Sequence, residues 1–484
     1  MNPTDFVFFG GTGDLATRKL LPALYNLHRD GVLATRSRII GIAREDICRA
    51  DYVARAEESC ARHVTGERFD ASVFRAFAER VHYVRVDAQQ ASDFHALGEL
   101  LQHEPAEGRV FYLSTSPQLF GTICTNLSLA GLANEQSRVV LEKPIGRDIA
   151  SARSINDQVG RVFAEGRIFR IDHYLGKEPV QNLLALRFGN VLFEPLWNRT
   201  WVHDVQLTIA EEGGIGARGE FYDHIGALRD MVQSHLLQLL CIIAMEPPSS
   251  AEPDAVRDEK LKVLRALEPL EPAELAATTV RGQYAAGVVA GRPAAGYLQE
   301  AGIPPDSRTE TFVAIKAGIN SWRWSGVPFF LRTGKRMPQR SARIVVNFRP
   351  VPHALFPGAS GGVRCNRMVI ELQPDEELGL HLMAKTPGEQ MKLGRVRLNL
   401  DFGEQFATRP MDAYERLLMD IARGQLTLFL RRDEVDATWQ WVEPLLRAWE
   451  GDSAPPLPYA AGTRGPDASN ALVDAYRTAW YDDA

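Results

Sequence analysis

The stretch Phe6-Val7-Phe8-Phe9-Gly10-Gly11-Thr12-Gly13-Asp14-Leu15-Ala16 constrains this chain more than any other feature. An apolar run ends in a glycine-rich turn, and a helical pattern follows over about residues 18–27, with Leu20, Leu21, Leu24 and Leu27 on one face. Glycines let a backbone come close to a pyrophosphate, and a helix N-terminus favours the charge that pyrophosphate carries. A tight loop can hold glycines for other reasons, but the strand–turn–helix context makes this one a dinucleotide-binding turn built from Gly10, Gly11, Thr12, Gly13, Asp14 and Leu15. Short apolar runs recur at residues 39–43, 83–86, 110–113 and 139–141, with helical segments between them. That order predicts a parallel sheet covered on both faces and ending near Asp172.

Beyond about Glu178 the pattern changes. Residues 202–209, 312–317, 343–348, 367–372 and 396–400 alternate apolar and polar side chains, as half-buried and mainly antiparallel strands do. One long helical pattern, about 221–245, interrupts them, and Pro- and acid-rich loops are expected near 246–254 and 454–458. At 484 residues the chain is too long for a single core. The expected architecture is an α/β Rossmann-like N-terminal domain, residues 1–175, plus an α+β C-terminal domain with a large, mainly antiparallel sheet, residues 176–484. A sheet that size has a face to cover, and a second subunit commonly covers it.

Composition narrows the function. A net charge of −6 argues against broad nucleic-acid binding, so no nucleic-acid partner is expected. The most apolar run, 236–245, is interrupted by Gln238 and too short to span a bilayer, so no membrane partner is expected either. Five scattered cysteines without a CxxC pair read as reduced thiols, with no metal site, and no N-terminal targeting segment is apparent. These features suggest a cytoplasmic protein.

The chemistry concentrates in Arg170-Ile171-Asp172-His173-Tyr174-Leu175-Gly176-Lys177-Glu178, which packs a carboxylate, an imidazole, a phenol and an ammonium around one glycine. A core cannot absorb that mix without satisfying each polar group, whereas a site that grips a phosphate and orients a base uses all of it. His173, Tyr174 and Lys177 converge if the segment turns at Gly176. On the cofactor side, Arg44 ends the second strand pattern and favours a 2′-phosphate, hence NADP, with NAD as an alternative because Glu45 and Asp46 follow at once. Lys143, in Glu142-Lys143-Pro144, leaves the fifth strand pattern at the end that faces the ligand crevice.

The 170–178 block and the GxxGDLA turn resemble those of glucose-6-phosphate dehydrogenases. The likeness continues through Gln181-Asn182-Leu183, Pro195-Leu196-Trp197-Asn198-Arg199 and Tyr414-Glu415-Arg416-Leu417-Leu418, in the expected order. It implies oxidation of glucose 6-phosphate at C1 to a lactone, with NADP as acceptor. His235 would be the base and Asp172 the carboxylate that orients it; read alone, His235 is a core histidine. His173, Tyr174, Lys177, Lys335 and Arg340 would bind the sugar phosphate. Glu211 and Asp230 would accept from sugar hydroxyls, Glu211 being preferred over its neighbour Glu212. The resemblance also places Asp87 and Ala88 at the adenosine end, puts Lys143 between cofactor and substrate, suggests a cis bond before Pro144, and implies a homodimer or homotetramer. Two departures stand out: Ser234 where the family has asparagine, and Glu212 where many members have a different residue; Arg340 stands where the family has lysine or arginine. The rivals are another NAD(P)-dependent sugar or polyol dehydrogenase, and a non-catalytic relative that keeps the fold for binding.

Overall fold

A computed structural model describes residues 2–64, 68–103, 106–353, 355–356, 365–374, 376–388, 391–401 and 411–482. The chain divides into two compact units. The first holds Met1–Gly176 together with Pro248–Asp258 and Met411–Asp436; the second holds Lys177–Pro247, Glu259–Pro410 and Ala437–Ala484.

The first unit is built on a seven-stranded sheet in the order Phe429–Leu430, Ile168–Ile171, Ser137–Leu141, Gly108–Leu113, Thr4–Phe9, Arg38–Ala43, Val81–Arg85. All pairings are parallel except that of Phe429–Leu430 with Ile171 and Arg170. Phe6, Val7, Phe8 and Phe9 are all buried, as expected of a central strand with helices on both faces. The Rossmann-like arrangement expected from the apolar runs is therefore present.

Neither unit is one continuous stretch of chain. Residues 176–484 do not all belong to the second unit, because 248–258 and 411–436 join the first. The reason is burial. Helix Ala413–Arg423 presents Tyr414, Leu417, Leu418 and Ile421 to the core formed by Phe6, Phe8, Leu20 and Leu24, while Phe429 stacks edge-on against Phe169 at 4.8 Å. No local pattern marks a helix as the property of a sheet some 250 residues upstream.

The second unit is built on a nine-stranded sheet in the order Leu393–Asp401, Glu377–Lys385, Arg367–Gln373, Ser341–Phe348, Val202–Ala210, Phe329–Gly334, Phe312–Ala317, Thr279–Ala285, Leu457–Ala460. It is mainly antiparallel. Phe329–Gly334 runs parallel to Val202–Ala210, and Leu457–Ala460 parallel to Thr279–Ala285. The segment expected as a loop at 454–458 thus enters a strand at Leu457, and the loop expected at 246–254 ends where helix Pro253–Ala266 starts.

The long helical pattern at 221–245 is interrupted. It forms Gly219–Asp223, then Leu228–Leu236 with π-helical geometry, then Leu237–Ala244. The break is at Gly226, whose φ of +72° no other residue adopts cheaply. The end of Leu237–Ala244 is tied down by Arg187, which donates to the carbonyls of Ile242 (2.9 Å) and Met245 (2.8 Å). Arg187 lies on helix Glu178–Phe188, so the helix that Lys177 opens is fastened to the one that continues from His235.

Candidate active site

In the first unit the cofactor turn is mainly a backbone construction. Gly10, at φ +86°, and Gly11 both donate to the carbonyl of Ile42 (2.9 and 2.8 Å), and Gly13 donates to Gly10 (2.9 Å). A Cβ on Gly11 would lie 2.7 Å from Cα of Gly41, so the first two strands touch through bare backbone. Buried Tyr52 fixes the turn by donating its hydroxyl to the Gly11 carbonyl (3.1 Å). Gly13 and Asp14 stay exposed, and the helix that follows begins with a π-helical turn, Ala16–Leu20. Such turns are rare and concentrate at functional sites.

Arg44 and Asp87 line a cleft of about 560 Å³ together with Arg85, Ser92, Asp93, His95 and Ala96. Arg85 is a second cation that sequence reasoning missed, because it read only as a strand residue. Glu45 was expected to weaken the preference for a phosphate. Hydrogen bonds from Thr12 and Arg55 hold its carboxyl below the usual range and so keep it ionised, the Arg55 contact being 2.6 Å. Asp46 pairs with Arg85 at 3.7 Å. An exposed glycine at Gly13, a helix start and two arginines together fit a dinucleotide bearing a 2′-phosphate. Ala88 accepts from Asn126 (2.9 Å), and the Asp87 amide donates to Asp93 (2.9 Å), which fixes that strand exit.

The Lys143–Pro144 peptide is cis, as the resemblance suggested. Beside it, burial pushes the Glu142 carboxyl up, and Tyr112 donates to it at 2.5 Å. Asp172 leaves the C-terminal end of Ile168–Ile171, is 1% exposed, and accepts from the Tyr174 amide at 2.9 Å. The half-buried His173 ring lies 4.8 Å from Tyr174 and is near-parallel to Tyr414 at 6.3 Å. Gly176 serves packing, since a Cβ there would meet Leu417 and Ala413 of the late helix at 3.0 and 3.1 Å.

In the second unit, two groups of polar side chains assemble from distant segments. Lys177 precedes helix Glu178–Phe188, is 8% exposed, and donates to the Leu372 carbonyl (3.3 Å). With the Gln373 amide oxygen turned toward the cations, Lys177 Nζ lies 2.5 Å and Arg340 Nη2 3.1 Å from it. Two cations thus meet over one neutral acceptor. Gln373 was missed because a glutamine at the end of an alternating strand carries no signal of its own.

Glu211 and Lys335 form the second group. The parallel register pairs Gly334 with Ala210, so the next residue of each strand emerges at the same end, and Lys335 Nζ meets Glu211 Oε2 at 2.5 Å. The same ammonium lies 4.9 Å from the ring centroid of Tyr222. Tyr222 is therefore part of this group. Burial, then the charges of Asp230, Glu310 and Glu211, push its phenol well up. His235 is fully buried on the π-helical stretch that also carries Asp230. Ser234, in place of the family's asparagine, donates back to the Asp230 carbonyl (2.8 Å).

Two family models together span the chain: the glucose-6-phosphate dehydrogenase NAD binding domain matches residues 7–182, and the glucose-6-phosphate dehydrogenase C-terminal domain matches residues 184–481. A glucose-6-phosphate 1-dehydrogenase of Mycolicibacterium smegmatis is 53% identical, covering 99% of this chain and 98% of its own length. One from Rhizobium meliloti is 49% identical, covering 100% and 98%. A solved structure of a glucose-6-phosphate dehydrogenase in complex with its substrate glucose-6-phosphate superposes with a TM-score of 0.90 at 33% identity, covering 99% of each chain. With both domains matched and close relatives aligned from end to end, the chain belongs to the glucose-6-phosphate dehydrogenase family.

Proposed function

We infer that this protein oxidises β-D-glucose 6-phosphate at C1 to 6-phospho-D-glucono-1,5-lactone with hydride transfer to NADP, the first step of the oxidative pentose phosphate pathway. Beyond family membership, the observation that carries the reading is the convergence of Lys177 and Arg340 on Gln373. A phosphate monoester, close to a dianion, needs several donors, and an ammonium beside a guanidinium supplies them.

Within that reading the residues divide the work. Lys177 and Arg340 hold the phosphate, with His173, Tyr174 and Lys335 completing its shell. Glu211 and Asp230 accept from ring hydroxyls. His235 takes the C1 hydroxyl proton, and Asp172 fixes its tautomer and stabilises the imidazolium that forms. The turn at Gly10–Leu15, with Arg44, Asp87, Ala88 and Lys143, holds NADP, which when bound supplies the hydride acceptor. Gripping the far end of the sugar orients C1, and orientation accounts for much of the rate.

Initial rates on glucose 6-phosphate and on free glucose, each with NADP and with NAD, test this reading. Turnover confined to the phosphorylated sugar is expected; equal rates on free glucose would remove the phosphate grip. The protein is further proposed to be a cytoplasmic homodimer or homotetramer. Its five cysteines are free, as a reducing compartment keeps them. Val396 and Leu398 on the edge strand Leu393–Asp401 are 40% and 58% exposed, an apolar strip that a second copy would cover. Sedimentation of the purified protein as a monomer would refute the assembly. Among the described residues no helix is long and apolar enough to cross a membrane.

A further inference from the structure

The π-helical stretch Leu228–Leu236 starts badly by local rules. Its N-cap position is Ala227, which has no side-chain acceptor for the free N–H groups of the first turn. The acceptor comes from 82 residues away: Glu310 Oε1 takes the hydrogen bond of the Leu228 amide at 3.0 Å, and the Glu310 carbonyl takes that of Ala227 at 3.0 Å. Gly226 makes room for this, since a Cβ there would lie within 2.8 Å of both carboxylate oxygens and the carboxyl carbon of Glu310. The next residue, Thr311, accepts from the Lys335 amide at 2.9 Å. One dipeptide therefore holds the start of the helix that carries Asp230 and His235 and also the backbone of Lys335.

We propose that Glu310 is a positioning residue for this enzyme, a tertiary N-cap that sets where Asp230 and His235 stand relative to Lys335. It touches no reacting atom and acts through the helix. Burial pushes its carboxyl up, and the Leu228 amide opposes that shift. A hydrogen bond accepted by oxygen does not need the negative charge, so an uncharged acceptor of the same shape should serve.

This inference rests on the roles proposed above for Asp230 and His235. The test compares Glu310→Gln, which keeps an acceptor oxygen, with Glu310→Met, which keeps the volume and removes it. For the methionine variant we expect kcat to fall about tenfold and KM for glucose 6-phosphate to rise about fivefold, because small misplacements of catalytic groups are costly. KM for NADP should stay unchanged. A merely less stable enzyme would lose apparent kcat and keep both KM values. Glu310→Gln should restore wild-type behaviour within about threefold. Methionine-variant kinetics like wild type, or a glutamine variant as damaged as the methionine one, would overturn the proposal. If Glu310→Met does not fold, Glu310→Gln decides alone: kcat or KM for glucose 6-phosphate more than about threefold from wild type overturns the proposal. His235→Asn is assayed alongside: full activity there would sink the assignment of the base, whereas an inactive His235→Asn with an unaffected Glu310→Met sinks only the capping role.

Discussion

The two sheets build their polar sites in opposite ways. In the parallel sheet of the first unit the cofactor turn is mostly backbone: Gly10 and Gly11 share the Ile42 carbonyl, Gly11 lies against Gly41, and the whole turn is one contiguous stretch. In the mainly antiparallel sheet the groups are side chains delivered by different segments: Lys177 from a helix start, Arg340 from a loop, Gln373 from a strand end, and Glu211 and Lys335 from neighbouring parallel strands. A backbone site tolerates changes of exposed side chains and is intolerant of an added Cβ. A side-chain site loses function one group at a time.

The comparison can be broken most forcefully at the proposed base. His235→Asn should lower kcat by roughly 10²–10⁴-fold, the usual share of general acid–base catalysis, and leave KM for glucose 6-phosphate nearly unchanged. Steady-state kinetics that show near-normal turnover would mean another group takes the proton. Next in size is Gly11→Ala, which drives a methyl into the backbone of Gly41 and Ile42. Overpacking backbone against backbone should raise KM for NADP at least about tenfold or unfold the first unit. Thr12→Ala beside it should do little, and the reverse ranking would show that side chains carry the turn after all.

Lys177→Ala should raise KM for glucose 6-phosphate about 10- to 100-fold, as loss of a charge-assisted contact does, with a smaller change in kcat. Gln373→Ala should do the same more weakly; if it leaves KM untouched, the amide does not organise the two cations. Arg85→Ala should raise KM for NADP several-fold without affecting NAD, and equal effects on both cofactors would remove its 2′-phosphate role.

The smallest effect concerns stability in the late helix that joins the first unit. Burial raises the Asp420 carboxyl to about 6. Its folded value lies above the unfolded one, so the native state gives up this proton reluctantly. Stability is therefore lost as pH rises from about 4 to about 6 and stays lost above that. Asp420→Asn should be more stable than wild type by about 1 kcal/mol at pH 7, after allowance for solvent screening, and no more stable at pH 4. Denaturant melts at the two pH values decide it; an equal gain at both would point to packing rather than titration.

How much could be read in advance follows the same division. The glycine turn and the parallel strands were legible because each depends on a few consecutive residues and on a period of apolar side chains. The alternating strands of the second unit were legible for the same reason, although their order and the one parallel pair at the centre were not. Arg85, Gln373, Tyr222 and Glu310 stayed silent, because a strand arginine, a strand-end glutamine, a tyrosine and a loop glutamate are ordinary in any sequence.

By itself the sequence determined two things here: which segments become strands and helices, through periodicity and backbone freedom at glycine, and where chemically active side chains are concentrated. Only the tertiary structure decided that residues 411–436 complete the first core, that Lys177 and Arg340 share Gln373, and that a helix without a local cap is capped by Glu310. The physical reason is range. Periodicity and turn chemistry act over a few residues, whereas burial and hydrogen-bond satisfaction recruit whichever group the folded chain brings within about 3 Å.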